Sequence, residues 1–183
     1  GLPNRRFFME KLTQLIINSQ TMENKFAVVF IDVDNFKRIN DSLGHDLGDE
    51  LLVQFSRRLE HSIRHSDLAS DRSNEFKASN VYRLGGDEFT ILLGEINQQH
   101  DVVKIAQRIL EAFSAPFSLN KNEVYVTGSL GISVFPEHGI SSTTLLKHAD
   151  IAMYTAKNKG KNAFTLYSPT MREEQTNEQE FNY

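Results

Sequence analysis

The sequence predicts an α+β fold, a central, mostly antiparallel mixed sheet of about five strands flanked by helices. Three observations carry that expectation. Helix-period and strand-period segments alternate, with no internal repeat of 20–50 residues. Two short apolar strands meet across a glycine-rich turn near the middle of the chain. At 183 residues and 39% hydrophobic, the chain can bury one sizeable core but not two.

Pro3 suits a first helical turn, and Phe7, Phe8, Leu12, Leu15 and Ile16 follow on one side of that helix. Phe26–Val33 is short, apolar and rich in β-branched residues, a buried strand. Phe36–Leu43 reads as a short helix stopped by Gly44, and Leu51, Leu52, Phe55, Leu59 and Ile63 mark a long amphipathic helix beginning near Asp46. Val81–Leu84 and Phe89–Leu93 form two strands joined through Gly85-Gly86-Asp87-Glu88, where glycine supplies positive φ at low cost. Val102, Ile105, Ala106, Ile109, Leu110 and Phe113 give a third long helical face. Val124–Val134 is strand-like with Gly128 and Gly131 inside it, Ser142–Asn158 is helical, and Phe164–Tyr167 closes the sheet. The polar stretch 69–80 reads as an inserted loop in a domain spanning 1–168, and 169–183 as a linker leading out of it.

Composition narrows the functional classes. There are no cysteines, which excludes a disulfide scaffold, a thiolate metal site and a cysteine nucleophile, and suits a reducing cytoplasm. Twenty Lys and Arg against 24 Asp and Glu leave a net charge of −4, which argues against a bulk-charge grip on nucleic acid. Small phosphorylated ligands need only a few local cations and stay open. The longest apolar run, Phe26–Ile31, is far short of the ~20 residues of a membrane span, so no membrane contact is expected of this segment. The opening Gly1-Leu2-Pro3-Asn4-Arg5-Arg6 has no Met and no signal peptide, and reads as a piece of a longer protein that could carry an anchor or sensor.

Asp32 and Asp34 flank Val33 at the polar end of the first buried strand, and side chains two apart share a face. Asp87 and Glu88 sit in the hairpin. If the strands are neighbours, the four carboxylates converge, and a hard divalent cation is what offsets such repulsion. A paired-metal site of that kind would clamp a triphosphate. The alternative is that each pair stands alone, Asp ending a strand and Gly-Gly-Asp making a turn.

Arg83-Leu84-Gly85-Gly86-Asp87-Glu88-Phe89 resembles the signature of the GGDEF family, the diguanylate cyclases. Gly1–Arg5 resembles the family's opening motif, and Phe30-Ile31-Asp32-Val33-Asp34-Asn35-Phe36-Lys37 its metal strand. Asn40-Asp41, Gly44-His45-Asp46 and Gly48-Asp49 follow at the family's spacing, and Ala149–Tyr154 with Ala156–Asn162 resembles its closing helix. The resemblance covers about residues 1–168. It implies a palm-like fold similar to nucleotide polymerases and synthesis of cyclic di-GMP from two GTP, with release of two pyrophosphates. By the same resemblance, Asp32 and Asp87 hold two Mg²⁺ (Mn²⁺ can substitute) with the Val33 carbonyl, Glu88 lies close by, and Asp87 is the candidate base. Asn40 and Asp49 match the guanine-reading pair, an amide and a carboxylate that discriminate guanine from adenine. Asn35, Phe36, Lys37, Lys157 and Lys161 match positions around the phosphates. Lys161 stands where the family often has Arg, which keeps the charge but loses the bidentate fork. Gly85 and Gly86 leave room for the nucleotide, and His45 supports the guanine pocket. Each domain would hold one GTP, so a homodimer is expected to complete the site.

Arg64-His65-Ser66-Asp67 resembles the family's RxxD product-binding inhibitory site, although 69–80 separates it from the glycine turn. An ordinary surface ion pair is the competing reading of Arg64 and Asp67. His138 reads as a plain loop residue. Tyr167–Glu173 resembles the lead-in to an EAL phosphodiesterase domain, so a missing N-terminal sensory region and a C-terminal EAL domain are expected partners. Three rival functions follow: a silent GTP-binding module regulating such a domain, a cyclic di-GMP receptor using Arg64 and Asp67, and another nucleotide cyclase or polymerase.

Overall fold

The computed structural model describes residues 4–64 and 81–171. Its main sheet has the order β2-β3-β1-β6-β7. These are β1 (Lys25–Val33), β2 (Val81–Gly85), β3 (Glu88–Ile96), β6 (Gly128–Phe135) and β7 (Ala163–Leu166). β1 lies antiparallel between β3 and β6, β2 is antiparallel to β3, and β7 runs parallel to β6. This is the mixed five-stranded α+β sheet the sequence predicts.

Helices cover both faces, which is why β1 reads as a continuous apolar run rather than an alternation. On one face Ala27, Val29, Ile31 and Val33 meet α3 (His45–Arg64) and α4 (Gln99–Ala112). Phe55 of α3 is the hub there, its ring stacked on Phe113 at 4.0 Å and on Phe89 at 5.6 Å. On the other face Phe26, Val28 and Phe30 meet α1 (Arg5–Met22) and α5 (Ser142–Asn158). α2 (Phe36–Leu43) is short and rests on α3, ending at Gly44 as the sequence indicates.

α1 is capped by Asn4, whose side chain accepts from the Phe7 N–H, and it buries Phe8, Leu12 and Ile16. Phe7, placed by its spacing on the buried side, is half exposed and leans on Tyr82. Gly131 of β6 faces α5 so closely that a Cβ would lie 2.0 Å from the Ala149 carbonyl and 2.1 Å from the Met153 nitrogen. That contact sets α5 down on the sheet.

The stretch Val124–Val134 is not one strand. Its start belongs to β5 (Asn122–Val124), paired with β4 (Phe117–Leu119) in a separate hairpin, and β6 begins only at Gly128. Asn120 and Lys121 both take left-handed backbone at its turn, φ 50° and 72°. Arg58 of α3 holds the hairpin by donating to the carbonyls of Ala112, Ala115 and Pro116, with its guanidinium over the Phe117 ring.

Asp67, the loop 69–80 and residues 172–183 lie outside the described residues, and of Arg64 only the place at the end of α3 is described. Among the described residues no helix is long and apolar enough to cross a membrane.

Candidate active site

β1 delivers Asp32 to the face that packs on α1 and α5, one residue before the strand ends. Glu88, at the start of β3, is its register partner directly across the ladder. The hairpin turns through Gly85 (φ 153°) and Gly86 (φ 50°), where a Cβ would meet nothing within 4 Å but the backbone requires glycine. Arg83 Nε donates to the Gly86 carbonyl at 2.9 Å, and the Val33 N–H donates to the Asp87 carbonyl at 3.3 Å. These bonds clamp the hairpin to the end of β1.

The electrostatics are those of a site short of positive charge. Lys157 Nζ lies 2.7 Å from Asp32 Oδ2, while Asp32 Oδ1 is buried with no hydrogen-bond partner. Burial, then the adjacent Asp87 side chain, push the Asp32 carboxyl up to about 7 against the pull of Lys157. Burial and then the charges of Asp32 and Asp150 raise Glu88, with Arg5 and Lys157 opposing. Burial and then Asp32 raise Asp150, again opposed by Arg5. Among the described residues no three His, Asp or Glu side chains already form a closed metal cage. The buried orphan oxygen beside a second carboxylate fits a hard cation of the Mg²⁺ type, which takes one or two carboxylates and fills its shell from substrate phosphates and water.

The β1–α2 junction adds the cationic side. Asn35 is left-handed at φ 59°, and α2 begins with no side-chain cap, leaving its first N–H groups open to an anion. Lys37 is exposed in that first turn. Lys161 Nζ donates to Asn35 Oδ1 at 2.6 Å. Lys157 thus reaches Asp32 in β1 from the end of α5, and Lys161 reaches Asn35 from the turn after it.

Asn40, in the last turns of α2, donates from Nδ2 to His45 Nδ1 at 2.7 Å. Its Oδ1 lies over Gly48, where a Cβ would approach to 2.1 Å. His45 and Gly48 together fix the amide, and Asp49 is exposed on the next residue of α3.

Asp34 does not join the other carboxylates. It is buried, with Oδ1 accepting from Ser129 Oγ at 2.6 Å and Oδ2 from Thr127 Oγ1 at 2.6 Å and the Asn162 N–H at 3.0 Å. Thr127, Ser129 and Asn162 were not singled out from the sequence, and neither were Arg5 and Asp150 as charged neighbours of the site. Asp150 falls within the closing-helix motif, the one signal that pointed near it. His138 is more than a loop residue, since its Nδ1 accepts from the Val134 N–H at 2.8 Å.

The family model described as diguanylate cyclase, GGDEF domain, matches residues 1–163. The chain is similar to the bifunctional diguanylate cyclase/cyclic di-GMP phosphodiesterase MucR of Pseudomonas aeruginosa, 34% identical over 170 residues, covering 93% of this chain and 23% of MucR. It is 37% identical over 173 residues to the cyclic di-GMP phosphodiesterase PdeR of Escherichia coli, covering 94% of this chain and 24% of PdeR. The chain therefore spans about a quarter of the length of these two relatives. The solved structure of a truncated TpbB from Pseudomonas aeruginosa, comprising only its GGDEF domain, superposes with a TM-score of 0.85 at 36% identity, covering 96% of this chain and 95% of that one. With the signature hairpin set against the Asp32 strand and the family model spanning nearly the whole chain, the protein belongs to the GGDEF family of diguanylate cyclases.

Proposed function

We propose that the chain is a catalytically competent diguanylate cyclase that condenses two GTP into cyclic di-GMP. The observation that carries this reading is the buried, unpartnered oxygen of Asp32 beside Asp87, in a hairpin whose Gly-Gly-Asp-Glu-Phe sequence is intact. Asp32, Asp87 and the Val33 carbonyl would hold two Mg²⁺, or Mn²⁺ in its place, with Glu88 alongside. Bound there, the metal supplies charge neutralisation at the α-phosphate and the leaving pyrophosphate.

The protein's own groups do the rest. Lys37, Lys157, Lys161 and the open N–H groups of Asn35, Phe36 and Lys37 bind the phosphates. Asn40 and Asp49 read the guanine edge, with Gly85 and Gly86 giving the nucleotide access to the hairpin. Asp87 takes the proton from a ribose 3′-hydroxyl as its oxygen bonds to the α-phosphorus of the facing GTP. The bond from that phosphorus to pyrophosphate breaks. Repeating the step in the opposite sense closes the ring and releases the second pyrophosphate. Each chain holds one GTP, so two copies must face each other, and catalysis is mostly positioning.

A second reading, a silent GTP-binding module governing an attached EAL domain, is favoured by one observation. PdeR is named a phosphodiesterase, and the chain covers only 24% of it. An N-terminal sensory region, a C-terminal EAL domain and a cytoplasmic place for this domain belong to either reading. Incubating the chain with GTP and Mg²⁺ at high protein concentration, with cyclic di-GMP read by mass spectrometry, separates the two. Product from the wild type that disappears in Asp87→Ala is the expected result. GTP bound without product, even after dimerisation is forced by a fused coiled coil, would sink the cyclase reading and leave the module.

A further inference from the structure

We propose that Asp34 is a positioning residue for the phosphate side of the site: its buried carboxylate fixes the turn after α5 so that Lys161 stands over the β1–α2 junction. The inference rests on the nucleotide-binding reading above and adds to it a residue that touches no substrate. Two of its three acceptor bonds, from Thr127 and Ser129, run to the segment leading into β6 and to β6 itself. The Asp34 N–H also donates to the Thr127 carbonyl at 2.9 Å, so that side is held twice over. The remaining bond, from the Asn162 N–H, crosses to a different part of the chain and is the one that bears on Lys161.

The turn it reaches has little reason to keep its shape unaided. Gly160, Lys161 and Asn162 take positive φ in succession, 121°, 66° and 48°. Glycine adopts such backbone freely, whereas Lys and Asn do so only where the surroundings impose it. The Lys161 N–H bond to the Ala156 carbonyl, at 3.2 Å, ties the turn back to α5. Asp34 ties its far end to β1, and between these two fixed points Lys161 Nζ reaches Asn35 Oδ1 at 2.6 Å.

The chemistry explains why an acceptor stands here. Oδ2 receives two donors, a hydroxyl and a backbone N–H that can only donate, so the atom facing Asn162 must be an acceptor. An asparagine can keep that bond by turning its oxygen to Thr127 and Asn162 and its NH₂ to the Ser129 hydroxyl, which can accept, whereas alanine offers no acceptor. Asp34→Ala should therefore release the turn, and Asp34→Asn should keep it.

The test compares Asp34→Ala, Lys161→Ala and the double variant, with Asp34→Asn as the rescue, by titrating GTP in Mg²⁺ onto the 183-residue chain, with amide hydrogen exchange over 159–162 measured without nucleotide. Loss of one charge-assisted phosphate contact corresponds to about a tenfold rise in Kd. Asp34→Ala should match Lys161→Ala in that rise, the double variant should bind no worse than either, exchange at 161 and 162 should quicken in Asp34→Ala, and Asp34→Asn should stay close to the wild type in both. Thr127→Val, which removes one donor to the same oxygen, gives a milder version of the same pattern and serves if Asp34→Ala does not fold. Additive effects of Asp34 and Lys161, or a lower melting temperature with unchanged Kd and exchange, overturn the proposal while leaving the nucleotide reading intact. A wild-type chain that binds no GTP overturns the nucleotide reading instead, and exchange over 159–162 then decides whether Asp34 holds the turn.

Discussion

At the residue scale, the guanine-reading assignment makes a demand on a glycine. A Cβ on Gly48 would sit 2.1 Å from Asn40 Oδ1 and 3.1 Å from its Cγ, both at the movable end of a side chain. Gly48→Ala therefore should not unfold the chain, and alanine is better than glycine inside a helix by about 1 kcal/mol. The expected outcome is an unchanged or higher melting temperature with a GTP affinity weakened about tenfold, the worth of one well-made hydrogen bond to a charged or buried partner. Calorimetric titration checks it, and unaltered affinity would remove Asn40 from the pocket. His138 makes a second demand. Burial lowers its imidazole below the usual histidine range, with nearby Glu137 opposing and His148 adding to the shift. Its Nδ1 must stay unprotonated to accept the Val134 N–H. A histidine depressed in the folded state contributes stability that is full above its unfolded value of about 6.5 and is lost as pH falls toward the folded value. Urea midpoints should thus drop more between pH 7 and pH 5 in the wild type than in His138→Asn, whose amide oxygen can take over the acceptor role. Parallel pH profiles would refute that account.

At the element scale, the sequence showed most of what the structure contains wherever the signal was local. The bounds of α2 and α5 follow from a glycine stop and a serine cap, both written in adjacent residues. The run from Val124 to Val134 misled because β-branched residues continue through a break: Tyr125 points outward, 70% exposed, and the chain changes sheets between Val124 and Gly128. The Asn120-Lys121 turn of the small hairpin lacks the Asn-Gly signature that marks such turns, so the hairpin stayed hidden. The pleat of β1 and the hairpin were legible because both are short-range features, whereas the β1–β3 pairing that sets Glu88 opposite Asp32 stood open in the sequence. The use of Asp34 was not, since Thr127 lies 93 positions away and only the β1–β6 pairing brings it near. That same pairing leaves Gly131 pressed against α5, and here a methyl group would meet backbone rather than a flexible tip. Gly131→Ala must push α5 off the sheet, and overpacking against rigid backbone costs ~3 kcal/mol or more. Thermal unfolding should show a large drop, with nucleotide binding lost because Lys157 travels with the helix. A fall of only a degree or two would mean that α5 is less firmly seated than its contacts imply.

At the scale of the whole molecule, the question is how many chains make one active centre. The site offers groups suited to one nucleotide: the half-buried carboxylates around Asp32, lysines at Asp32 and at Asn35, and one Asn40 amide held over Gly48. On the proposed reading, a reaction joining two GTP needs a second triphosphate presented in the opposite sense, which a second chain would have to bring. Formation of cyclic di-GMP by the isolated chain is therefore expected to depend on the square of protein concentration where dimers are scarce. Specific activity, product per unit protein, should rise in proportion to concentration and level off only when pairs dominate. Fusing a parallel coiled coil ahead of α1 should abolish that dependence by raising the effective local concentration to the millimolar range. An equimolar mixture of wild type and Asp87→Ala provides a sharper check. Random pairing leaves a quarter of dimers wholly wild type, and if both hairpins are needed for the two condensations, cyclic product should fall toward that fraction while total GTP binding barely changes. Specific activity that stays constant across a hundredfold dilution would mean that a single chain suffices, and the facing-dimer mechanism would have to be abandoned.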